Sequence, residues 1–428
     1  MTAGSLPSPP GRPHRAARPP APKRRVRSGR PRATAVMALT ALLATAAAWL
    51  PAAHAGGPLL WVTPDQGGAA TLASDGSVAQ VSDAGAVTPL ATGVRGDSLR
   101  RCGAALLAVD QNGNLRSLTA SAVGPAVSPH SRPACLADGN LVAVSSDARS
   151  VMLLSPDLQV IARQAVDALP DGDPVPVGDA VALLSQPTQR YRHGVLGDEI
   201  EAGAVTLLSQ RDLTVVASYQ VSAPAVIEQR RVAAFPAAGK DGLLITRSSP
   251  QEGAGVVALA LSGTSLAVVA AGPPIGTGDR WLNLFATVGR RAYAVRTPHL
   301  GGPLERYVLA GGSLQVTRYA LHVTNHVLGS RNLDLGVLLP PPPGSGASDV
   351  LALPTPDLQR VQVVACRAGG CAPELALSLD APLSSNLAAR WQGDRLVLYA
   401  GEKDGSLQRF TLDASLWKPS SGGSPSVP

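Results

Sequence analysis

Residues 139–166 read GNLVAVSSDARSVMLLSPDLQVIARQAV. Three apolar, β-branched runs (LVAV, SVMLL and VIARQAV) are separated by short stretches of Ser, Asp, Arg and Pro. Runs of four to six such residues between polar turns are the pattern of antiparallel strands, not of a helix with its three-to-four-residue period. The reading extends in both directions. The phrase strand, turn, strand, x-D-L/S-L, strand returns at intervals of roughly forty to fifty residues: AVALLS followed by GAVTLLSQRDLTVVASYQV (residues 180–185 and 203–221), DGLLITRSSPQEGAGVVALALSGTSLAVVAAG (241–272), RRAYAVRTPHLGGPLERYVLAGGSLQVTRYAL (290–321) and SDVLALPTPDLQRVQVVACRAGGCAPELALSL (348–379). A first unit, LLWVTPDQGGAATLASDGSVAQVSDAGAVTPLA, occupies residues 59–91, and a short last one, GDRLVLYAGEKDGSLQRFTLD, occupies 393–413.

Four strands per repeat make a β-propeller blade. One blade cannot bury both of its faces, and stacking neighbours around an axis does so. The fold expected is therefore an all-β, seven-bladed propeller of four-stranded antiparallel blades over residues 56–417, with six or eight blades also compatible. Blades begin near Leu59, Leu99, Cys135, Val177, Val232, Leu284 and Leu335, and the strands from Leu387 to Leu412 are expected to complete the first blade and close the ring. A pair of β-sandwiches or a β-solenoid is the alternative. Residues 418–428 are Ser/Gly/Pro-rich and read as a disordered tail.

Residues 1–55 read as an export signal with an extended basic N-region. Nine Lys/Arg lie between Arg12 and Arg32, an uncharged apolar run extends from Ala33 to Leu50 with helical character, Pro51 breaks it, and Ala53-His54-Ala55 has the small-x-small pattern of a processing site. Cleavage is expected after Ala55, giving a periplasmic or secreted chain; an uncleaved anchor, a start at Val26 and a twin-arginine route through Arg24-Arg25 are the competing readings. The leader also decides the charge argument. It carries nine of the 37 Lys/Arg and none of the 30 Asp/Glu, so the remaining 373 residues hold 28 bases against 30 acids. The formal +7 is a property of the leader, and the folded part gives no electrostatic case for binding nucleic acid.

Export into an oxidising compartment pairs cysteines. Of the three connectivities open to four cysteines, Cys102–Cys135 and Cys366–Cys371 is the one chosen: the first pair occupies similar places in consecutive repeats, and the second flanks a short turn.

The second half of the chain adds a resemblance. RYRHGVLGDEIEAGAV (190–205), GPPIGTGDRWLNL (272–284), AVRTPHLGGPLERYVL (294–309), TNHVLGSRNLDL (324–335) and SDVLALPTPDLQRVQVV (348–364) resemble, in that order, bacterial VCBS/FG-GAP repeat proteins, a group similar to the N-terminal propeller of integrin α chains. The resemblance covers roughly residues 185–365. It implies calcium loops of the form D-x-D-G-D-G-x-x-D in the first hairpins of blades. The corresponding slots here have lost their carboxylates: one Asp before VLALP (Asp349), none in Gly289-Arg290-Arg291, and one beside a cation in Lys240-Asp241-Gly242. The nearest survivor, Asp110-Gln111-Asn112-Gly113-Asn114, lacks the later acidic ligand and reads as an Asn-Gly hairpin. No cofactor and no metal is expected.

Candidate site residues come from two places. Of the crossings between blades, GDSLRR, HSRPA, DGDPVP, IEQRR, GDRWLN, GSRNLD and SSNLAAR, five carry Arg close to the next strand. Arg100/Arg101, Arg132, Arg230/Arg231, Arg280 and Arg331, with Arg390 as a sixth, are read as a ring of guanidinium groups able to bind an anion in bidentate fashion, Arg101, Arg132, Arg231, Arg280 and Arg331 being the site residues chosen. The competing reading pairs each with a nearby carbonyl or acid. Trp281 stands beside Arg280, and Asn325-His326 belongs to the family phrase. His322 and His326 are four apart, but on a strand and its exit that spacing separates them by about 13 Å, so they do not form a metal pair. The second place is QRYRHGVLGDEIE (189–201), a long polar connection within the fourth blade, read as a recognition loop with Tyr191 and His193 as exposed contacts; the competing reading is a surface loop in which Arg190 and Arg192 pair with Asp198, Glu199 and Glu201.

No G-x-S-x-G elbow, Walker loop or dinucleotide fingerprint follows a strand, and Asp198, Glu199 and Glu201 are too locally clustered to read as an acid pair. The function expected is that of a binding or scaffold module, monomeric, without catalytic residues, for an envelope protein or a small anionic ligand, contacting membrane only through its export signal. The alternative is a carbohydrate- or ester-active enzyme with its site on the same funnel.

Overall fold

The computed structural model describes residues 47–50, 57–96, 99–237, 240–342 and 348–418. Each repeat folds as an antiparallel meander whose burial changes from the axis outwards. In the third repeat the second and third strands, Leu141–Val144 and Ser150–Leu154, are buried throughout, whereas the fourth, Val160–Ala165, is mostly exposed. The middle strands are covered on both faces by neighbouring sheets, which is why they are continuously apolar rather than alternating.

The core lies between the sheets. Val142 and Val144 of the third unit pack against Val181, Leu183 and Leu208 of the fourth, and Leu351 and Leu353 of the seventh pack against Tyr293 and Val295 of the sixth. The ring closes in the same way: Leu59 and Val62 of the first unit share a cluster with Val397 and Tyr399 near the C-terminus. The chain is a β-propeller.

The inner strands begin at Leu59, Arg100, Ala134, Val175, Ala233, Leu282, Val337 and Leu383. The seven starts expected from the repeats are thus met within two residues, but an eighth follows. Among the described residues there are eight four-stranded blades, spanning residues 59–91, 100–126, 134–165, 175–220, 226–271, 282–319, 337–378 and 383–413, the last completed by residues 47–50. Blades 4 and 5 merge into one nine-stranded sheet because Val226–Ile227 pairs with both Ala202 and Ser248/Arg247 at their junction, and Ser218 pairs in parallel with Ser265.

Closure therefore corrects the expectation. The C-terminal strands do not complete blade 1, which draws all four of its strands from residues 59–91. They form a blade of their own, whose outer strand is Ala47–Leu50 on Leu407–Asp413. Those four residues lie inside the run expected to be helical and removed; the proposed cleavage site and the C-terminal tail lie outside the described residues. Blades 8 and 1 are latched by side chains. Asn386 Oδ1 accepts from the Val62 amide at 2.7 Å and its Nδ2 donates to the Val62 carbonyl at 2.9 Å, while Asp83 accepts from Tyr399 Oη at 2.8 Å and pairs with Arg390.

Turns explain the face on which function is built. Between the second and third strands of blades 1, 2, 3, 7 and 8 an Asp side chain (Asp75, Asp110, Asp147, Asp357 or Asp404) accepts from the amide two residues on, at 2.9–3.1 Å. This Asx geometry closes a tight turn. Asp110, the nearest survivor of a calcium loop, is used in this way, with Gly113 at φ 86° and the Asn114 amide also donating to it. At the same position blade 4 carries residues 189–200 and blade 6 a 3₁₀ turn, Pro298–Leu300. Both disulfides form as expected. Cys102–Cys135 joins the inner strands of blades 2 and 3 with Cα atoms 5.5 Å apart, and Cys366–Cys371 lies across the outer hairpin of blade 7 at 4.0 Å.

Candidate functional site

The inner strands and the crossings that lead into them enclose an axial cavity of about 480 Å³. Every blade contributes to its wall: Trp61, Arg100, Arg132, Asp173 with Val175, Arg231, Phe285, Asp334 with Val337 and Leu338, and Asn386, in blade order. A wall that draws on all eight repeats is the axis of the ring.

At the crossing face the axis is spanned by a girdle of charges. Arg132 donates from Nε and Nη2 to Asp173 Oδ2 at 3.0 and 2.5 Å, and from Nη1 to Asp334 Oδ2 at 3.0 Å. Arg231 donates through both Nη atoms to Asp334, Nη1 at 3.0 Å. The Arg132 guanidinium also lies 4.2 Å from the Trp61 ring centroid, in cation–π contact. Burial raises the Asp334 pKa, but Arg231 and Arg132 outweigh it and hold the carboxyl well below its usual range.

Behind this girdle, Arg230 is fully buried and acts as a hub. It donates to the carbonyls of Asp171 at 2.9 Å, Arg331 at 2.5 Å and His130, tying three crossings together. Arg331 in turn donates to Asp198 Oδ2 at 2.8 Å and lies 3.5 Å from Asp171. Burial pushes the Asp171 carboxyl up to about 6, against the pull of Arg230.

Arg100 differs from all of these. Its side chain is exposed into the cavity and makes no hydrogen bond or ion pair with the described residues. Protein surrounds it on the cavity wall, and that burial, followed by repulsion from Arg132, lowers its pKa. Accessible to solvent yet enclosed by protein is the condition of a group facing an internal channel.

The residues expected to form the ring are thus only partly brought together. Arg132 and Arg231 line the cavity. Arg101 does not: successive residues of a strand face opposite ways, so Arg100 points to the axis and Arg101 pairs with Asp65 at 3.1 Å. Arg280 is exposed and donates to the Asp279 carbonyl, and Arg331 sits in the layer behind the girdle. Nor is the pairing local, since the acids come from other blades: Asp334 is 202 residues from Arg132 and 103 from Arg231. Arg100 and Arg230, the alternatives within their Arg pairs, and the acids Asp171 and Asp173 complete the network; the IEQRR and DGDPVP crossings carried the signal, but the sequence of a crossing does not reveal which blade supplies its partner.

Residues 189–200 form a strap, not an isolated loop. Arg190 donates to the carbonyls of Ala225 at 2.8 Å and Val221 at 2.9 Å. Tyr191 is buried rather than exposed; its Oη accepts from the Asp279 amide at 3.1 Å. Val195 and Leu196 enter the core cluster of Trp281 and Leu333, the Val195 carbonyl accepts from the Gly329 amide at 2.9 Å, and Asp198 holds Arg331. The strap therefore reaches from blade 4 to the crossings beyond blades 5 and 6. Of its expected self-pairing only Arg192–Glu199 remains, at 3.8 Å and exposed. The correction has a plain cause: the apolar VL inside the loop has a core to enter.

Beneath the strap, half-buried His193 meets fully buried Glu228 at 2.7 Å. Burial lowers the His193 pKa, but the Glu228 carboxylate outweighs it and the net shift is upwards. Glu201 is buried with neither carboxylate oxygen partnered, and burial together with Glu228, Asp171 and Asp198 raises its pKa well above the usual value.

Trp281 is also core: its Nε1 donates to the Glu228 carbonyl at 3.0 Å. Asn325 and His326 are buried and order their loop. Asn325 and Asn283 exchange hydrogen bonds, each side-chain Nδ2 donating to the other's main-chain carbonyl, Asn325 at 3.1 Å and Asn283 at 3.2 Å. His326 Nε2 can only donate to the Ser330 carbonyl, at 2.7 Å, so its Nδ1 accepts from His299 Nε2, also at 2.7 Å. Both rings are then neutral, and burial holds them at about 3 and about 4. Among the described residues no group of three or more His, Cys, Asp or Glu is arranged to hold a metal.

No protein-family model matches the chain, and a search of curated proteins finds no match. Solved structures match in fold. The computationally designed Ika8 protein aligns at TM-score 0.52 and 9% identity, over 85% of this chain and 98% of its own. The C-terminal WD40 domain of Sif2 aligns at 0.51 and 12%, over 83% and 96%. At such identities the likeness is one of propeller fold alone.

Proposed function

We propose that the chain is an exported propeller of the VCBS/FG-GAP kind that acts as a binding module, with its ligand, a small anion, in the axial cavity. The observation that carries this reading is Arg100: a guanidinium inside the cavity, accessible and without a partner among the described residues, while its neighbours Arg132 and Arg231 are engaged. An unpaired charge enclosed by protein is costly, and an anion that accepts its paired N–H groups offsets that cost. The volume falls within the range of small-molecule sites, ~300–1,000 Å³. The carboxylates of the cavity, Asp173 and Asp334, are both held by guanidinium groups, which supports binding rather than proton transfer. Two disulfides and the leader-like N-terminus support an extracytoplasmic, periplasmic or secreted, location.

The test is thermal unfolding against a panel of organic and inorganic anions at constant ionic strength, comparing the protein with its Arg100→Gln variant. A ligand at a hundred times its Kd stabilises by about 2.7 kcal/mol. The expected result is an upward shift in Tm for at least one anion that Arg100→Gln abolishes. Equal shifts in both proteins, or none in either, refute the axial site.

A further inference from the structure

We infer that the axial site selects a monoanion with an apolar body, a monocarboxylate, rather than phosphate or a polycarboxylate; this rests on the axial reading above. The first argument is a charge count. Among the described residues, three guanidinium groups face the cavity, Arg100, Arg132 and Arg231, against two carboxylates, Asp173 and Asp334. Asp334 is held ionised by its two arginines, and Asp173 receives two bonds from the Arg132 side chain. One positive charge is left, so one negative charge neutralises the cavity. A second would be enclosed beside Asp173 and Asp334 without a cation of its own.

The layer behind does not supply one. Arg230 gives hydrogen bonds to carbonyls and its charge to Asp171, 3.6 Å away, with Asp173 at 3.9 Å; Arg331 is engaged by Asp198 and also lies beside Asp171, so two cations face Asp171 and Asp198.

The second argument is the wall. Beyond the charged groups, Thr287 and Asn386 it is apolar, with Val175, Pro176, Phe285, Val337 and Leu338, and Trp61 at the charged end. Phosphate would leave this surface in contact with water, whereas a hydrocarbon chain behind a carboxylate would cover it. Arg100 fixes the carboxylate by the paired geometry of guanidinium and carboxylate. The body of the ligand then runs along the inner strands.

The experiment is calorimetric titration of the full chain with acetate, butyrate, hexanoate, octanoate, octylamine, citrate and inorganic phosphate, repeated on Arg100→Gln. Arg100 makes no hydrogen bond that its replacement would break, and the length series reads the wall on the unaltered protein. Burial of a methylene predicts roughly fourfold tighter binding per CH₂ while the chain remains inside the cavity. Octanoate should bind at least tenfold tighter than phosphate, citrate or octylamine, and lose at least tenfold in Arg100→Gln. If phosphate or citrate binds as tightly as octanoate and is lost in Arg100→Gln, the anion site stands and the monocarboxylate inference falls. If affinity is flat with chain length, the inference falls likewise. If no anion binds, both fall together.

Discussion

Replacing Asp334 with Asn tests the girdle directly. The change preserves shape and removes the one negative charge shared by Arg132 and Arg231. Breaking a buried ion pair by neutralising one partner costs ~3–5 kcal/mol. The Asp334 side chain is 21% accessible through the cavity, so solvent screens part of this and the lower bound applies, about 3 kcal/mol. Unfolding entropy of about 2.1 cal/mol/K per residue gives about 0.8 kcal/mol/K for the 373 residues after the leader. The expected fall in Tm is therefore about 4 °C at pH 7.

The pH dependence follows from the sign of the shift. The folded pKa of Asp334 is depressed below the ordinary 3.8, so its stabilisation is fully present above that value and drains away as pH falls towards the folded pKa. Differential scanning calorimetry at pH 7, 5 and 3 should show the same gap between the two proteins at the first two and a gap narrower by about 1 kcal/mol at pH 3. Asp394→Asn, at an exposed acid, is the control. A loss at pH 7 no larger than that of Asp394→Asn, or a gap unchanged at pH 3, refutes the view that Asp334 anchors both arginines.

Two further outcomes test the rest of the architecture. The His193–Glu228 pair has a raised His pKa, so its contribution is fully present below the unfolded value of 6.5 and is lost as pH rises through the folded value. Tryptic cleavage after exposed Arg192, normalised to a peptide substrate, should accelerate between pH 6 and 9 in the native chain and be fast at both in His193→Gln; parallel curves exclude the latch. A chain beginning at Gly56 lacks Ala47–Leu50, and hydrogen exchange at the edge of Leu407–Asp413 should then run roughly tenfold faster than in a chain that keeps those residues. Equal protection would mean that the strand contributes nothing to the edge.

Much of the fold is legible because its signals are local. Alternation of apolar runs with turns rich in Asp and Gly marks the hairpins locally, and Asp75, Asp110 and Asp404 close their turns on the amides two residues on. The disulfides were legible for the same reason, one pair flanking a turn and one repeating in adjacent units. The eighth blade was not, because SSNLAARWQ and the strands after it look the same whether they complete blade 1 or stand alone. What separates the cases is Asn386 reading the Val62 backbone, 324 residues away. The strap shows the opposite failure. A polar run read as exposed carries Val195 and Leu196, which Trp281 and Leu333 beside it make core, and Tyr191, which is buried against the Asp279 amide.

The girdle shows what a ring adds to a repeat. Arg132 leads into blade 3 and Asp334 into blade 7, four steps around a ring of eight, yet they meet at 3.0 Å. Two side chains from opposite blades can touch only across the axis, so the pair closes the crossing end of the channel. Read alone, several crossings are out of balance: HSRPA carries an Arg and no acid, DGDPVP two acids and no base, and IEQRR two Arg against one Glu. Across the ring the acids are shared, Asp334 between two arginines and Asp173 mainly with one, and Arg100 is left over. Of the pair Arg100/Arg101 that the sequence offered, strand alternation turns Arg100 to the axis and Arg101 to Asp65, and the charge left over belongs to the closed circle and to no single repeat.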